Sequence, residues 1–217
     1  MNKKIKISLI ILLIVFAIIF FIQKVYKTKK TGNNINKSTS DLLEYILNIS
    51  SYEATAKVTI NSNKTSNEYV IKQYYLKPIY SKQIIKEPQS IENLEILHNG
   101  KDLSIKNTNL GLSKIYQNYN YINENILWLN YFLDNCNENG YQIEENNEEI
   151  IIKNEVRKDK LKGNLYINKK NGLPQKIQIL DNSNNTKIYI EYKEIKLNNI
   201  RENNIFALKT NDIKNEV

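Results

Sequence analysis

The chain has 217 residues, with 31 Lys and Arg against 23 Asp and Glu, for a formal net charge of +8. Residues 1–30 hold seven lysines and no acid, and subtracting those seven leaves 24 basic against 23 acidic side chains in the rest. Nucleic-acid binding needs clustered cations, and a structural zinc site needs several Cys or His ligands. The near balance of charge after residue 30 therefore argues against nucleic-acid binding. The single His and single Cys argue against a structural zinc site. No cofactor is implied.

The first segment has the pattern of a membrane anchor. Residues 7–22 include a single polar side chain and have lysines on both sides. The run is short for a spanning helix, which needs roughly 17–25 residues, but neighbouring apolar residues extend it. A cleaved secretory signal has the same plan, yet no small-residue cleavage site and no lipidation cysteine follow. The pattern favours an uncleaved anchor over residues 1–25, in the membrane through residues 5–25.

The position of the domain relative to the membrane is predicted from the same segment. Three lysines precede the apolar run and four follow it, so flanking charge alone does not fix the orientation. The signal-like order of charge and apolar run predicts a cytoplasmic N-terminus and an extracytoplasmic C-terminal domain. Residues 26–37, rich in Lys, Asn and Thr, are predicted to form a solvated linker. Residues 38–217 would then form the folded domain.

A short helix and a long strand are predicted next in the chain. Residues 40–47 have four apolar side chains on one helical face, and Asp41 and Glu44 have the spacing of a capping box. Residues 52–60 alternate between apolar and polar side chains. This alternation is typical of a half-buried strand.

The remaining elements are predicted to be mostly strands. They cover residues 67–76, 80–86, 93–98, 102–106, 141–145, 148–154, 162–169, 175–181 and 186–196, with turn signals at residues 99–100, 146–147, 171–172 and 182–185. A second helix is predicted over residues 124–135, which have a broad apolar surface. Strands joined in order by tight turns predict an α+β, mainly β fold. It would be a curved, unclosed antiparallel sheet with short helices on its concave face, beside the N-terminal transmembrane helix.

The C-terminal third carries one part of a family resemblance. The turn at residues 171–177 (NGLPQKI) leads to the strand at residues 188–192, and Asn198, Ile200 and Phe206 follow. This succession resembles the C-terminal half of the LolA-like superfamily, in which a Gly-Leu-Pro turn precedes two long strands and a closing Asn…Phe segment.

The central region carries the other part. Residues 97–105 (LHNGKDLSI) resemble the central hairpin of the same superfamily. Residues 87–88 before it and residues 109–116 (NLGLSKIY) after it are similar to the germination lipoprotein GerS family of spore-forming clostridia. The resemblance spans roughly residues 38–210. One departure is that the chain has an anchor-like segment where GerS proteins have a lipidation cysteine.

The resemblance implies a fold, a role and a place in the cell. The fold would be a LolA-like half-barrel, an unclosed sheet with helices at its mouth, and without catalysis. Members carry lipoproteins, sense them as regulators, or support a cortex-modifying amidase during spore formation. Family members of the GerS type also form dimers. The resemblance therefore implies an amidase partner and a location in the spore envelope or the space at the forespore membrane.

Two residues have side chains that could take part in catalysis. His98 directly precedes the Asn99-Gly100 turn, and a general base would need an orienting acid and a nucleophile beside it. The favoured interpretation is a solvent-facing histidine at a strand end. Cys136 would need a nearby cation to become a reactive thiolate, and a semi-buried structural cysteine is favoured. An enzyme is therefore not expected.

Charged residues cluster at one predicted hairpin. Paired carboxylates can serve a glycosidase or bind calcium, but the spacing does not match a calcium loop. Exposed charges at a turn usually discourage edge aggregation, and this solvated interpretation is favoured. The residues are Glu144, Glu145, Glu148 and Glu149. Residues 157–160, of alternating charge, are predicted to be a loop.

Aromatic residues are the main candidates for a contact surface. Trp128, Tyr131 and Phe132 are predicted to lie on one helix, where they would plug the sheet or contact a partner. Further aromatic surface is expected from Tyr74, Tyr75, Tyr116, Tyr119 and Tyr121. An open sheet also leaves strand edges on which two copies of the chain could pair.

Two functions remain open from the sequence. The first is a membrane-anchored, non-enzymatic accessory protein of spore germination or cortex modification, which acts by binding a peptidoglycan amidase. The alternative is a carrier or sensor of lipid or lipoprotein that holds an acyl chain on the concave face. Tight packing of Trp128 and Phe132 against the sheet would favour the first function, and an open apolar cavity would favour the second.

Overall fold

The computed structural model describes residues 38–62, 64–119, 126–156 and 161–208. The predicted anchor, linker and loop at residues 157–160 lie outside these ranges, as does Tyr121. Within the ranges, no helix has the length and apolar character needed to cross a membrane.

Two α-helices and eleven strands make up the described fold. The helices are α1 (Thr39–Leu47) and α2 (Leu129–Asn139). The strands are β1 (Ser51–Asn61), β2 (Ser66–Leu76), β3 (Tyr80–Glu87), β4 (Glu95–Asn99), β5 (Leu103–Asn107), β6 (Leu112–Tyr116), β7 (Gln142–Glu145), β8 (Glu149–Val156), β9 (Leu161–Asn168), β10 (Pro174–Leu180) and β11 (Thr186–Leu197). Three short 3₁₀ helices lie at Gln89–Ile91, Thr108–Leu110 and Asn204–Phe206.

All eleven strands belong to one antiparallel sheet. Their order is β6-β5-β4-β3-β2-β1-β11-β10-β9-β8-β7, so β1 is central and β6 and β7 are the two ends of the described sheet. Except for β6 and β7, strands consecutive in the chain pair with each other, and one long-range pairing, β1 with β11, joins the two halves. The predicted antiparallel, unclosed and mainly β architecture is confirmed.

Helix α1 is capped one turn earlier than the capping box at Asp41 and Glu44 predicts. Its N-cap is Ser38, whose Oγ accepts a hydrogen bond from the backbone N–H of Asp41 at 3.2 Å. The cap satisfies an N–H that has no partner inside the helix. Its apolar face is as predicted, with Leu42, Leu43, Ile46 and Leu47 buried.

The prediction for the second helix was wrong at its start. Helix α2 begins at Leu129, and Trp128 lies outside it as an extended N-cap residue with φ −99° and ψ 134°. The apolar spacing continues upstream of the helix, because residues 126–128 bury side chains against the same core without helical geometry. Hydrophobic period alone therefore does not locate this boundary.

The two helices cover one face of the sheet, which is called here the inner face. Alternate residues of the central strands point into this core, among them Tyr52, Ala54, Ala56 and Val58 of β1 and Ile188, Ile190 and Tyr192 of β11. Because side chains alternate across a strand, the polar residues between them lie on the other face. The helices therefore shield the apolar inward side chains of these central strands.

A second, smaller core lies on the opposite, outer face. Residues after β11 return over β2, β3 and β4, where Ile200 and Phe206 pack with Leu97. The ring of Phe206 lies 5.7 Å from that of Tyr80, centroid to centroid. The Asn…Phe segment noted in the sequence is therefore the strap that covers this part of the sheet.

Strand β6 was not predicted. Its alternate side chains Leu112, Lys114 and Tyr116 are mixed in polarity, so neither face shows the clean alternation that marks a half-buried strand. Pairing with β5 over Asn107 to Leu103 holds it in place. The other strands lie within a few residues of the predicted ranges.

Candidate docking surface

The structure separates the candidate aromatic residues into buried and exposed groups. Trp128 is 5% exposed and Phe132 is 2% exposed, and both belong to the inner-face core. Tyr131 is half-buried against the same core. Tyr116 and Tyr119 are exposed at the opposite end of the sheet from α2's partner strand β8.

Two polar side chains from the sheet fix the start of α2. The hydroxyl of Tyr52 accepts a hydrogen bond from the backbone N–H of Leu129 at 3.2 Å. The side-chain amide of Gln73 donates to the carbonyl oxygen of Leu127 at 3.1 Å. Both anchors are fully buried, and a buried partner lost from such a contact is costly. No sequence pattern pointed to Gln73, since a polar residue in an alternating strand is expected to face solvent.

The middle of α2 lies directly on β8 and β9. A Cβ atom placed on Gly163 would stand 2.7 Å from a ring carbon of Phe132 and 3.0 Å from Oδ1 of Asn154. Side chains therefore fill the space between α2 and the sheet at this point. A foreign acyl chain would have to displace Phe132 to enter there.

Cys136 lies on the same face of α2. It is buried, and the side-chain amide of Asn154 lies 3.2 Å from its Sγ. Burial raises the pKa of the Cys136 thiol to about 12, which the contact with Asn154 only partly offsets. A thiol in this state is a structural residue, more deeply buried than the predicted semi-buried one.

The environment of His98 corrects the expectation of a solvent-facing residue. The side chain is 3% exposed. Its Nδ1 lies 2.7 Å from the carbonyl oxygen of Ile79, and its Nε2 lies 3.2 Å from that of Tyr119. Strand β4 turns His98 to the inner face opposite Leu103, where the ring joins two backbone segments.

The predicted acidic hairpin is exposed, and its charges are mostly paired with lysines. Lys153 bonds Glu144, and Lys169 bonds Glu145. The hydrogen bond from Lys169 is the main cause of a lowered pKa at Glu145. Among the described residues, no group of three or more His, Cys, Asp or Glu is placed to hold a metal ion.

The exposed aromatic group lies at the edge of the sheet formed by β6. We call Leu110, Leu112, Tyr116 and Tyr119 the β6 patch; these side chains are between 41% and 58% exposed. The rings of Tyr116 and Tyr119 are 6.0 Å apart, and the ammonium group of Lys114 lies 5.8 Å from the Tyr116 centroid. Exposed apolar area with clustered aromatic rings is the composition that is enriched at protein interfaces.

Local turn chemistry holds the start of the patch in place. The side-chain oxygen of Asn107 accepts hydrogen bonds from the backbone N–H groups of Asn109 and Leu110 at 3.0 and 3.2 Å. Its amide donates to the carbonyl oxygen of Glu92 at 3.0 Å. Gly111 then takes a left-handed conformation with φ 62°, which glycine adopts without strain. Leu110 is thus presented on a short, tied turn.

The end of the patch is tied to the β4–β5 hairpin. A carboxylate oxygen of Asp102 accepts from the backbone N–H of Asn118 at 2.9 Å, and the Tyr119 carbonyl oxygen faces His98. These contacts fix the turn that carries Tyr119. A pre-ordered surface loses less entropy on binding than a loose one.

Comparison with known proteins gives the family of the chain. The chain belongs to the sporulation protein YdcC-like family, whose model matches residues 4–206. This membership confirms the connection with sporulation that the motif resemblance implied. No curated protein matches the chain.

Several solved structures are similar in fold. An uncharacterized conserved protein from Thermus thermophilus is 13% identical, with 81% of this chain and 97% of that chain covered and a TM-score of 0.49. A chain in the structure of the CwlD amidase from Clostridioides difficile in complex with the GerS lipoprotein is 21% identical, with coverage of 73% and 96% and a TM-score of 0.43. The LolA superfamily protein NE2245 from Nitrosomonas europaea is 14% identical, with coverage of 79% and 98% and a TM-score of 0.40. These structures include both groups that the sequence motifs resemble.

Proposed function

We propose that this protein is a non-enzymatic accessory protein of spore germination or cortex modification that binds a peptidoglycan amidase through the β6 patch. Membership of a sporulation family supports the process. The motif resemblance at residues 87–116 supports an amidase as the partner class. The observation that carries the site is the exposure of Leu110, Leu112, Tyr116 and Tyr119 on a pre-ordered sheet edge.

The remaining aromatic residues are better suited to supporting the surface than to contacting a partner. Trp128 and Phe132 are buried, so a partner reaches them only if α2 leaves the sheet. The same packing weighs against the lipid or lipoprotein carrier, because an acyl chain on the inner face would need the space that Phe132 occupies beside Gly163. Tyr131, half-buried, lies at the margin of that core.

The membrane anchor and the location are part of the same proposal. Residues 5–25 would hold the protein in the membrane with the N-terminus in the cytoplasm, and the folded domain would face the spore envelope or the space at the forespore membrane. The apolar run and its flanking lysines support this arrangement. A protease-protection assay on intact forespores, with a tag at each end, measures it.

A homodimer paired through a sheet edge is a further part of the proposal. Strands β6 and β7 each have one paired neighbour within the described sheet, and free strand edges favour pairing. Sedimentation velocity of the full chain in detergent measures the oligomeric state. A strictly monomeric protein at micromolar concentration would reject the dimer while leaving the amidase proposal intact.

The partner is tested by crosslinking and purifying the tagged full-length protein from its sporulating host. We expect a cortex amidase in near-equal amount. Recovery of lipid or lipoproteins without an amidase would overturn the proposal in favour of a carrier.

The site is tested by a matched pair of tyrosine variants in the same pull-down. Tyr116→Ala should reduce amidase affinity at least about tenfold, as expected for an aromatic hot spot. Tyr141→Ala is the control, because Tyr141 is 39% exposed against 41% for Tyr116 but lies at the other edge of the sheet. Equal losses in both variants, or none in Tyr116→Ala, would reject the β6 patch as the site.

A further inference from the structure

His98 is a buried residue whose two ring nitrogens both face oxygen atoms that only accept hydrogen bonds. It is the single histidine of the chain and is 3% exposed. Its Nδ1 lies 2.7 Å from the carbonyl oxygen of Ile79, in the turn between β2 and β3, and its Nε2 lies 3.2 Å from that of Tyr119. A neutral imidazole donates from one nitrogen only, whereas an imidazolium donates from both. The charged form therefore fits both contacts at once.

Loss of one proton would leave one of these contacts without a donor. A neutral ring that keeps the shorter bond to Ile79 turns the lone pair of Nε2 towards the carbonyl oxygen of Tyr119, and two acceptors repel each other. A cation instead makes a charge-assisted hydrogen bond to each carbonyl group, which is stronger than a bond between neutral groups. Because Tyr119 belongs to the β6 patch, the charge of His98 acts on a turn of that surface.

The side chains that face His98 do not ordinarily change charge near neutral pH. Ser81 of β3 and Leu103 of β5 lie directly opposite it, and neither titrates. The same row of the inner face includes Tyr75 of β2 and Tyr116 of β6. Histidine is the side chain whose ordinary charge change falls between about pH 5 and about pH 8. The titratable groups of the adjoining turns are those of Lys77, Lys101, Asp102 and Tyr119.

We propose that His98 is a positioning residue for the β6 patch. Its imidazolium form donates to the carbonyl oxygens of Ile79 and Tyr119 and holds the turn that carries Tyr119 against β4. The turn is closed at acid pH, and it loosens as the pH rises through the range in which histidine loses its charge. The effect on amidase binding rests on the proposed function, whereas the closing of the turn does not.

Nitrogen-15 NMR of the full chain in detergent measures the protonation of His98 directly. The chain is labelled at histidine and carries no histidine tag, so all imidazole signals belong to this residue. We expect protons on both ring nitrogens at about pH 5 and on one nitrogen at about pH 8. A ring that stays neutral over this whole range, or one that stays charged, overturns the proposal.

Hydrogen exchange of the same unmodified chain measures whether the turn is closed. The backbone N–H of Asn118 donates to a carboxylate oxygen of Asp102 at 2.9 Å. Its protection, corrected for the intrinsic exchange rate at each pH, should fall about three- to tenfold from about pH 5 to about pH 8, as expected when one hydrogen bond is lost. The N–H of Gly172, bonded to the carbonyl oxygen of Asn168 at 2.8 Å in another turn, should keep its protection. Equal falls at both positions, or none at Asn118, contradict the proposal.

His98→Gln and Ser81→Ala are a matched pair for the effect on binding. Both change a buried polar residue of the same row, but only the first removes a group that titrates. The amidase affinity of the native chain, divided by that of His98→Gln, should fall about three- to tenfold from about pH 5 to about pH 8. Titration of the amidase itself cancels in this ratio, and Ser81→Ala should follow the native chain.

The outcomes separate this proposal from the proposed function. A constant affinity ratio, or an equal loss of pH dependence in Ser81→Ala, overturns the positioning role. A chain that binds no amidase at any pH rejects the proposed function. A His98 that carries two protons at about pH 5, together with pH-dependent protection of Asn118, would still support the positioning role in that case, and neither measurement needs a variant.

Discussion

Trp128 is the only tryptophan of the chain, and its burial makes it a sensitive point for stability. Its ring lies 6.4 Å from that of Tyr52, the residue that anchors the start of α2. Trp128→Ala should lower the free energy of unfolding by about 3–5 kcal/mol, because truncation of a buried aromatic ring leaves a cavity. Urea unfolding followed by far-UV circular dichroism measures the change.

Two further variants test that interpretation. Tyr116→Ala should change stability by no more than about 0.5 kcal/mol, since an exposed side chain loses few contacts. Trp128→Phe should lower the free energy of unfolding less than Trp128→Ala does, because it keeps an aromatic ring in the core. It also removes an indole N–H that is buried without a partner among the described residues. A Trp128→Ala protein as stable as Tyr116→Ala would show that Trp128 is contact surface and not core.

At the scale of single residues, apolar identity predicts burial better than polar identity predicts exposure. The core interpretation of Trp128 and Phe132 and the structural interpretation of Cys136 follow from the sequence. The burial of His98 and Gln73 does not, because each is stabilised by a backbone carbonyl group distant in the chain. Only the fold brings those carbonyl groups close, so the residue types of His98 and Gln73 alone predict exposure to solvent.

Helix α2 can lie close to β9 because residue 163 is a glycine. At Gly163 an added methyl group would meet the ring of Phe132 and the amide of Asn154 at less than normal contact distance. Gly163→Ala should destabilise the protein by about 1–3 kcal/mol, the range for overpacking a filled core. Chemical denaturation measures the loss.

A double-mutant cycle shows whether the ring is the cause. In a Phe132→Leu background the smaller side chain leaves space, so Gly163→Ala should cost less than in the native background. Additive losses would mean that the penalty comes from the contact with Asn154 or from the backbone of β9, and not from Phe132 of α2.

Helix α2 also carries a carboxyl group whose ionisation opposes folding. Burial raises the pKa of Asp134 above its ordinary value, Glu138 adds to the rise, and Lys77 partly offsets it. The folded state therefore holds this proton more tightly than the unfolded chain does. Its contribution to stability is greatest below the unfolded pKa of about 4 and is lost as the pH rises through the folded pKa.

Asp134→Asn removes that titration and keeps the shape. The stability of the variant relative to the native protein should increase as the pH rises above about 4 and then level off. Urea unfolding of both proteins from about pH 3 to about pH 8 measures the difference across both pKa values. A difference that shrinks with rising pH would show that the carboxylate is stabilised in the fold.

Elements are predicted from the sequence where a periodic pattern coincides with a turn signal. The hairpins at Asn99-Gly100 and Asn171-Gly172 were located this way, and both glycines have positive φ. Strand β6 and the start of α2 were not located, since tertiary contacts decide them. At the start of α2, residues 126–128 continue the apolar spacing without helical geometry, and the side chains of β6 are mostly exposed, so neither element has a period that matches its burial.

Across the whole molecule, the two halves of the sheet are joined by β1 and β11. Local turns specify each meander, but nothing local specifies this central pairing. Asn198 secures it at one end: its side-chain oxygen accepts from the backbone N–H of Ser50 at 2.8 Å, and its own backbone N–H donates to the carbonyl oxygen of Ser51 at 2.7 Å. The closing Asn…Phe segment thus marked, in the sequence, the part of the fold that no hairpin signal could locate.

The strap after β11, which contains Ile200 and Phe206, leads to a prediction about the whole sheet. Phe206 is fully buried in the outer core with Leu97 and Ile200, and the strands that contribute to this core are β2, β3 and β4. Phe206→Ala should lower stability by about 3–5 kcal/mol and increase hydrogen exchange first in β3 and β4. Strands β8 and β9, at the other end, should retain their protection because the inner core still holds them.

The control for the strap is Asn204→Ala, which changes an exposed residue of the same 3₁₀ turn and should leave exchange unaltered. Equal acceleration in all strands of Phe206→Ala would mean that the sheet opens as one unit. Faster exchange confined to β3 and β4 would instead mean that the half bearing the β6 patch loosens independently. In that case the strap, on the outer face, sets the rigidity of the surface that we propose binds the amidase.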